Sequence, residues 1–331
     1  MSVEFGLGLQ GDKPPGEYAR LASLAEAAGF DVLSVFGDLM YQPPIAALLE
    51  MAGATAQVRL GPACLNPYSL APYELAGQIA ALDLASRGRA YLGLARGSWL
   101  AAVGIAQPRP VAALAEAAEV VYRLLGGRTG GFEGEMFRLA PGTALRYPVH
   151  RPDPPLLLGA WGPKGVALAG RIAGEIKVGG TANPALVPVI RDRLRAGAAA
   201  AGRDPAEVGI VVGAVTVVDT DGAAARERAR TEVAMYLAVV AGLDPTVTVP
   251  PGLLDRVQRA VAAGDHRGAG RLIPDGLLDR FAFAGTPEQV ARQAETLIDA
   301  GVRRVEFGTP HGLTDDRGVE LLGAEVLPRL R

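Results

Sequence analysis

A strand that runs into glycines and then into the start of a helix presents unpaired backbone N–H groups with the helix dipole behind them, a ready site for an anion. Gly159-Ala160-Trp161-Gly162-Pro163-Lys164-Gly165 has this form, and Lys164 adds a positive charge at the same point. The plain alternative is a tight turn with a surface lysine. Gly179-Gly180-Thr181, after the next apolar run, reads as completing the cradle, with Lys177 beside it. Asp38, in Phe36-Gly37-Asp38, reads either as a binding-site acid or as a helix cap or turn former. Cys64, the sole cysteine, reads by itself as a small buried apolar residue, and no chemistry is assigned to its thiol. Trp99 and Trp161 offer aromatic surface to an organic ligand or simple packing at a rim. His150, His266 and His311 are scattered, and no cysteine–histidine cluster has zinc spacing, so no metal is expected.

Rarity sharpens these choices. The 33 basic residues comprise 30 arginines and only three lysines, Lys13, Lys164 and Lys177, and asparagine occurs twice, at Asn66 and Asn183. The arginine excess, with 43 glycines and 25 prolines, reads as coding bias, so each rare residue invites a question.

The elements that must position these residues alternate. Short apolar runs at 3–9, 32–36, 58–64, 90–95, 155–158, 175–178, 208–218 and 304–307 read as strands, and amphipathic stretches between them read as helices, among them 45–55, 73–85, 111–125, 166–173 and 185–200. Near-uniformly apolar strands alternating with helices predict a parallel sheet covered on its faces. Eight such strands predict a (β/α)8 TIM barrel forming a single domain over 1–331; about 80 residues beyond the usual ~250 then sit in insertions, placed at about 126–152 and 241–283. A doubly wound open sheet is the competing fold, but no Gly-x-Gly-x-x-Gly follows the first strand. In such a barrel, function lies in the loops after the C-terminal strand ends. Cys64, Asn66, Lys164 and both tryptophans fall in those loops.

The order of segments resembles a known group. Phe36-Gly37-Asp38, then Leu60-Gly61-Pro62-Ala63-Cys64-Leu65-Asn66-Pro67-Tyr68, then Leu84-Ala85-Ser86-Arg87-Gly88-Arg89 before Tyr91-Leu92-Gly93-Leu94, is similar to the bacterial-luciferase-like flavin and deazaflavin oxidoreductases. Within that superfamily it most resembles the methylenetetrahydromethanopterin reductases that use coenzyme F420. Gly159-Ala160-Trp161-Gly162-Pro163-Lys164 and Ala284-Gly285-Thr286-Pro287-Glu288 carry the likeness nearly end to end. The resemblance implies a luciferase-like TIM barrel whose third strand ends in a bulge with a non-prolyl cis peptide, here Ala63–Cys64, over which the middle ring of the coenzyme bends. It also implies that Asp38, Ala63, Cys64, Asn66, 159–164 and 179–181 surround the coenzyme, with Asp38 the candidate catalytic acid and Lys164 at its phosphate tail.

Departures concern the substrate. The superfamily usually has histidine after the acid, where this chain has Leu39, and the three polar groups by the pterin are replaced at Gly8, Ser98 and Trp161. The expected substrate pocket therefore comprises Gly8, Ser98, Trp99, Trp161 and His311, more apolar than in the reductases.

Composition removes other classes. With 35 acidic residues against 33 basic ones and no basic run, nucleic-acid and membrane binding are not expected. A lone cysteine and an N-terminus without signal-peptide form point to a cytoplasmic protein. The expected activity is an F420-dependent oxidoreductase that passes hydride to or from a small organic substrate, as a homodimer; the alternatives are an FMN-dependent monooxygenase and a non-catalytic flavin- or deazaflavin-binding protein.

Overall fold

The computed structural model describes residues 3–331. Strands β1 (Glu4–Leu9), β2 (Val32–Val35), β3 (Arg59–Pro62) and β4 (Leu92–Ala95) alternate with helices α1 (Glu17–Ala27), α2 (Pro44–Ala54) and α3 (Pro72–Ala85); helix α4 (Pro110–Leu125) follows β4. A small antiparallel pair, β5 (Phe132–Glu133) and β6 (Arg138–Leu139), interrupts the alternation. It resumes with β7 (Leu156–Gly159), α5 (Pro163–Ile172), β8 (Glu175–Gly179), α6 (Leu186–Ala200), β9 (Gly209–Val218) and α7 (Gly222–Ala234). Four short helices, α8 (Leu237–Val240), α9 (Leu253–Ala262), α10 (His266–Arg271) and α11 (Asp275–Phe281), lead to β10 (Ala282–Gly285), α12 (Pro287–Asp299), β11 (Arg304–Gly312) and α13 (Asp315–Leu321).

The main sheet is parallel, in the order β3-β2-β1-β11-β9-β8-β7-β4. Isolated bridges from Leu60 to Ala90 and from Leu65 to Leu94 join β3 to β4 and bring the two ends together. This is the (β/α)8 barrel that the alternation predicts. β10 is an addition: it pairs with 215–218 of β9, beyond the point where β8 stops at Gly213. The sequence reading placed 282–283 in an insertion, because a four-residue strand after helical residues has too short an apolar run to stand out.

Prolines at the first helical turn start α2, α3, α4, α5 and α12, since proline lacks an N–H that would be unpaired there and its φ is already helical. For that reason α5 begins at Pro163, not at the expected 166.

The expectation of uniformly apolar strands is corrected in an informative way. Phe5, Leu7, Leu9, Leu33, Val35, Leu92, Leu94, Ile176, Val178, Val305 and Phe307 face outward into the helix-covered core. Most of the alternate positions, which face the barrel axis, are glycine or polar, namely Gly6 and Gly8, Ser34, Gly61, Gly93, Glu175 and Lys177, Gly213, Arg304 and Glu306, while Val32, Tyr91, Leu157 and Val211 form a small apolar cluster among them. Glycines leave the axial space that the long side chains of Lys177, Arg304 and Glu306 occupy: a Cβ on Gly213 would stand 3.1 Å from Cβ of Glu306.

Candidate functional site

At the C-terminal mouth the ends of β2, β3, β4 and β7 converge on one bond. The peptide between Ala63 and Cys64 is cis, as the family resemblance implies. Its carbonyl lies so close to Gly37 that an added Cβ there would stand 2.2 Å from the Cys64 oxygen; only glycine fits beside the bulge. On the other side, a Cβ on Gly159 would come within 3.0 Å of Ala95 Cβ and 3.2 Å of Cys64 Sγ. Burial pushes the Cys64 thiol up to about 12, so it stays protonated and unreactive.

The loop after β7 opens onto the solvent. Gly162, the residue preceding α5, gives the helix no side-chain cap, and Pro163 occupies the first turn. The first-turn N–H groups of Lys164 and Gly165 have no acceptor within the helix, and Lys164 is exposed beside them. Ala160 donates its N–H to Lys177 O at 3.2 Å. Trp161 is half-buried where the helix-covered core meets a second apolar cluster that includes Val233, Leu237 and Val240, and its carbonyl accepts a 2.6 Å bond from Arg193 Nη1. Rim packing is thus its main contact.

The turn after β8 is built differently from the expected cradle. The N–H groups of Gly180 and Thr181 both donate to Gly213 O, and the buried Thr181 hydroxyl donates to Arg280 O. Those donors are spent on the fold. Gly180 also abuts Val240: a Cβ there would stand 2.9 Å from Val240 Cγ1. Asn183, fully buried, ties this turn down by bonding Asp244, Thr246 and Arg280.

Asp38 does not cap α2, whose N-terminus has no side-chain cap; its carboxylate accepts 3.0 Å from Gln10 Nε2 at the end of β1. Gln10 was not anticipated, and its position just past a strand end was the available signal. Asn66 accepts from the Tyr68 N–H and from the Ser69 N–H and hydroxyl, and so shapes the loop after the bulge. Its amide lies against Gly97, in the loop after β4.

Two of the expected pocket residues lie inside the protein. Gly8 is covered by Phe36, whose Cζ would be 2.5 Å from an added Cβ. His311 is fully buried, with positive φ after the cis Thr309–Pro310 bond, and its Nε2 meets Gly8 O at 2.9 Å. It braces β11 against β1, and burial lowers it to about 4, so the ring is neutral at physiological pH. Ser98 and Trp99 are exposed in the loop after β4. Met40 and Tyr41, after β2, and Leu313, after β11, are also exposed apolar side chains.

Beneath the mouth lies a charged column that the sequence reading missed. Lys177, 6% exposed, forms an ion pair with Glu306, 1% exposed. Ser34 Oγ donates to Glu306 Oε2 at 2.7 Å and meets Tyr91 Oη at 2.8 Å; Tyr91 lies 2.9 Å from Gly61 O. Burial raises the Glu306 carboxyl, but Lys177 and Arg304 outweigh it and hold the group below its ordinary range. The Lys177 ammonium lies 5.0 Å from the centre of the Phe36 ring, under the floor of the mouth. One layer lower, Arg304 stacks on Tyr91 and faces Glu175, which Arg59 joins to Glu4. Three cations and three carboxylates balance. The signal was six charges inside strands otherwise read as apolar.

A family model described as luciferase-like monooxygenase matches residues 2–304. The chain belongs to the luciferase-like monooxygenase family. A luciferase-like relative, the 5,10-methylenetetrahydromethanopterin reductase of Archaeoglobus fulgidus, is 30% identical and spans 99% of this chain and all of its own length. The F420-dependent glucose-6-phosphate dehydrogenase of Nakamurella multipartita is 31% identical over 96% of this chain and 93% of its own. The solved structure of the coenzyme F420-dependent tetrahydromethanopterin reductase of Methanopyrus kandleri superposes with a TM-score of 0.89 at 27% identity, covering both chains completely. The likeness seen in short motifs thus extends through the whole fold.

Proposed function

We propose that this luciferase-like chain is an oxidoreductase that binds coenzyme F420 and passes hydride between it and a small organic substrate such as a carbonyl, imine or activated alkene. The observation that carries the proposal is the Ala63–Cys64 bulge beside Gly159, where β7 ends and its loop leads into the uncapped α5 N-terminus with its exposed Lys164, in a chain related over its full length to F420-dependent enzymes. The residues present fit such a coenzyme. The bulge offers backbone for a flat ring to rest on, and the free N–H groups and Lys164 fit its phosphate. When bound, the coenzyme supplies the hydride chemistry. The protein supplies the rest: Asp38, held by Gln10, lies at the end of β2, and Asn66 holds the loop after β3.

The exposed apolar side chains of Met40, Tyr41 and Trp99 in loops that follow strand ends support a substrate less polar than a pterin. No histidine lies at Asp38, and His311 is committed to Gly8, so a proton needed on the substrate comes from solvent or from Asp38. We also propose one barrel unit with two insertions, a homodimer in the cytoplasm, and pairing through the outer face of α2 and α3, where Leu49, Tyr73 and Leu84 are exposed. No helix among the described residues is long and apolar enough to cross a membrane.

Fluorescence titration of the purified chain with each coenzyme tests the assignment. Micromolar F420 affinity with weak FMN binding is expected. FMN binding without F420 binding would make the chain a monooxygenase candidate, and F420 binding without turnover across a carbonyl, imine and enone panel would make it a carrier.

A further inference from the structure

The Lys177–Glu306 pair is an anomaly of the barrel. Interior layers of such barrels are commonly filled by branched apolar side chains. Here an ammonium and a carboxylate are withdrawn from water, at a desolvation cost that their attraction rarely repays in full. Hydrogen bonding does not require them. Without Glu306, Ser34 could donate to Tyr91 Oη, and Tyr91 to Gly61 O, leaving neither hydroxyl unsatisfied. What the pair does accomplish is placement. Glu306 and the 5.0 Å contact with Phe36 hold the Lys177 ammonium under the floor of the mouth, and at Cys64 on the bulge its field outweighs the opposing field of Glu306. The other two lysines do not serve the floor: Lys13 bonds Asp12 and Asp315 at 2.9 Å each, and Lys164 stands at α5.

We propose that Lys177 is a positioning residue that sets the redox preference of the bound coenzyme, favouring the state that carries more negative charge. This rests on the F420 assignment above. A hydride brings two electrons and one proton, so the ring that receives it gains one negative charge until a solvent proton follows, while the substrate that gives it up is oxidised. With the ammonium end of the pair dominating at the bulge, the pair lowers the energy of that added charge. Lys177 itself neither gives nor takes a proton.

The test replaces both partners by apolar residues of similar volume, Lys177→Met with Glu306→Leu, so that no charge is left unpaired. The double variant is expected to fold with an unchanged or higher Tm. Dissociation constants for oxidised and reduced F420, measured anaerobically by fluorescence, give the decisive ratio. In the variant, binding of the reduced form should weaken about tenfold relative to the oxidised form, a fall of about 30 mV in the potential of the bound couple. A ratio within twofold of wild type in a folded variant overturns the proposal. A variant that fails to fold also overturns it, because the pair would then be structural. A wild-type chain that binds no F420 overturns the function and this inference together, and the wild-type titration alone distinguishes that case.

Discussion

Lys164 and Cys64 lie on the same rim, yet opposite behaviour is expected of them. Lys164→Ala should weaken F420 binding by about 1–3 kcal/mol, the range for a charge-assisted bond, without moving Tm; an unchanged dissociation constant would return it to the surface. Cys64, with its thiol held up near 12 by burial, should resist iodoacetamide in the folded chain at pH 8 and react only after denaturation, as mass spectrometry would report. Gly37 has a purely steric task. With 2.2 Å between a new Cβ and the Cys64 oxygen, Gly37→Ala must shift the bulge, and a loss of about 2 kcal/mol or more in urea-melt stability is expected. Thr181 carries the residue-scale lesson of the site. It looked like part of an anion cradle and proved to be a buried tie to Arg280, because the sequence shows a turn without showing where its N–H groups go.

Helix starts were legible to within a few residues, since proline marks them, and one helix carries a cap whose value can be measured. Thr286 and Gln289 form a reciprocal capping box at α12. Thr286→Ala should cost about 1 kcal/mol, seen as a lower urea midpoint, and Thr286→Ser should recover most of it. The eight barrel strands were legible in the chain but only half legible in character, and β5, β6 and β10 were not read as strands. Their outward faces are the apolar residues that define a strand by eye, whereas the inward faces mix glycine and charge with a few apolar residues. In a four-residue strand such as β2, two inward positions are too few for a period to register.

Across the whole molecule, stability should depend on His311. Its imidazole is neutral in the fold, lowered to about 4, against an ordinary value near 6.5 in the unfolded chain. Above pH 6.5 neither state binds the proton, and the contribution is fully present. As the pH falls from 6.5 toward 4 the unfolded chain alone takes up the proton, and stability of order ~3 kcal/mol is lost. Urea melts of wild type across that window should show the fall, and His311→Gln should flatten it. The α2–α3 face sets the other global expectation. Leu84→Glu should convert a dimer to monomer in sedimentation velocity while the far-UV spectrum is kept, whereas a wild type that sediments as a monomer would remove the dimer proposal.

The alternation of apolar runs and helical stretches by itself determined the barrel, because burying one face of each helix against a parallel sheet leaves few other solutions. It also directed attention to the strand ends, where the motifs around Cys64 and Gly162 lie. The tertiary structure alone decided which rare residues line the mouth and which brace it. His311, Thr181 and Lys177 were ambiguous in the chain because a polar side chain's role depends on partners 303, 99 and 129 residues away, and no local pattern encodes such distances.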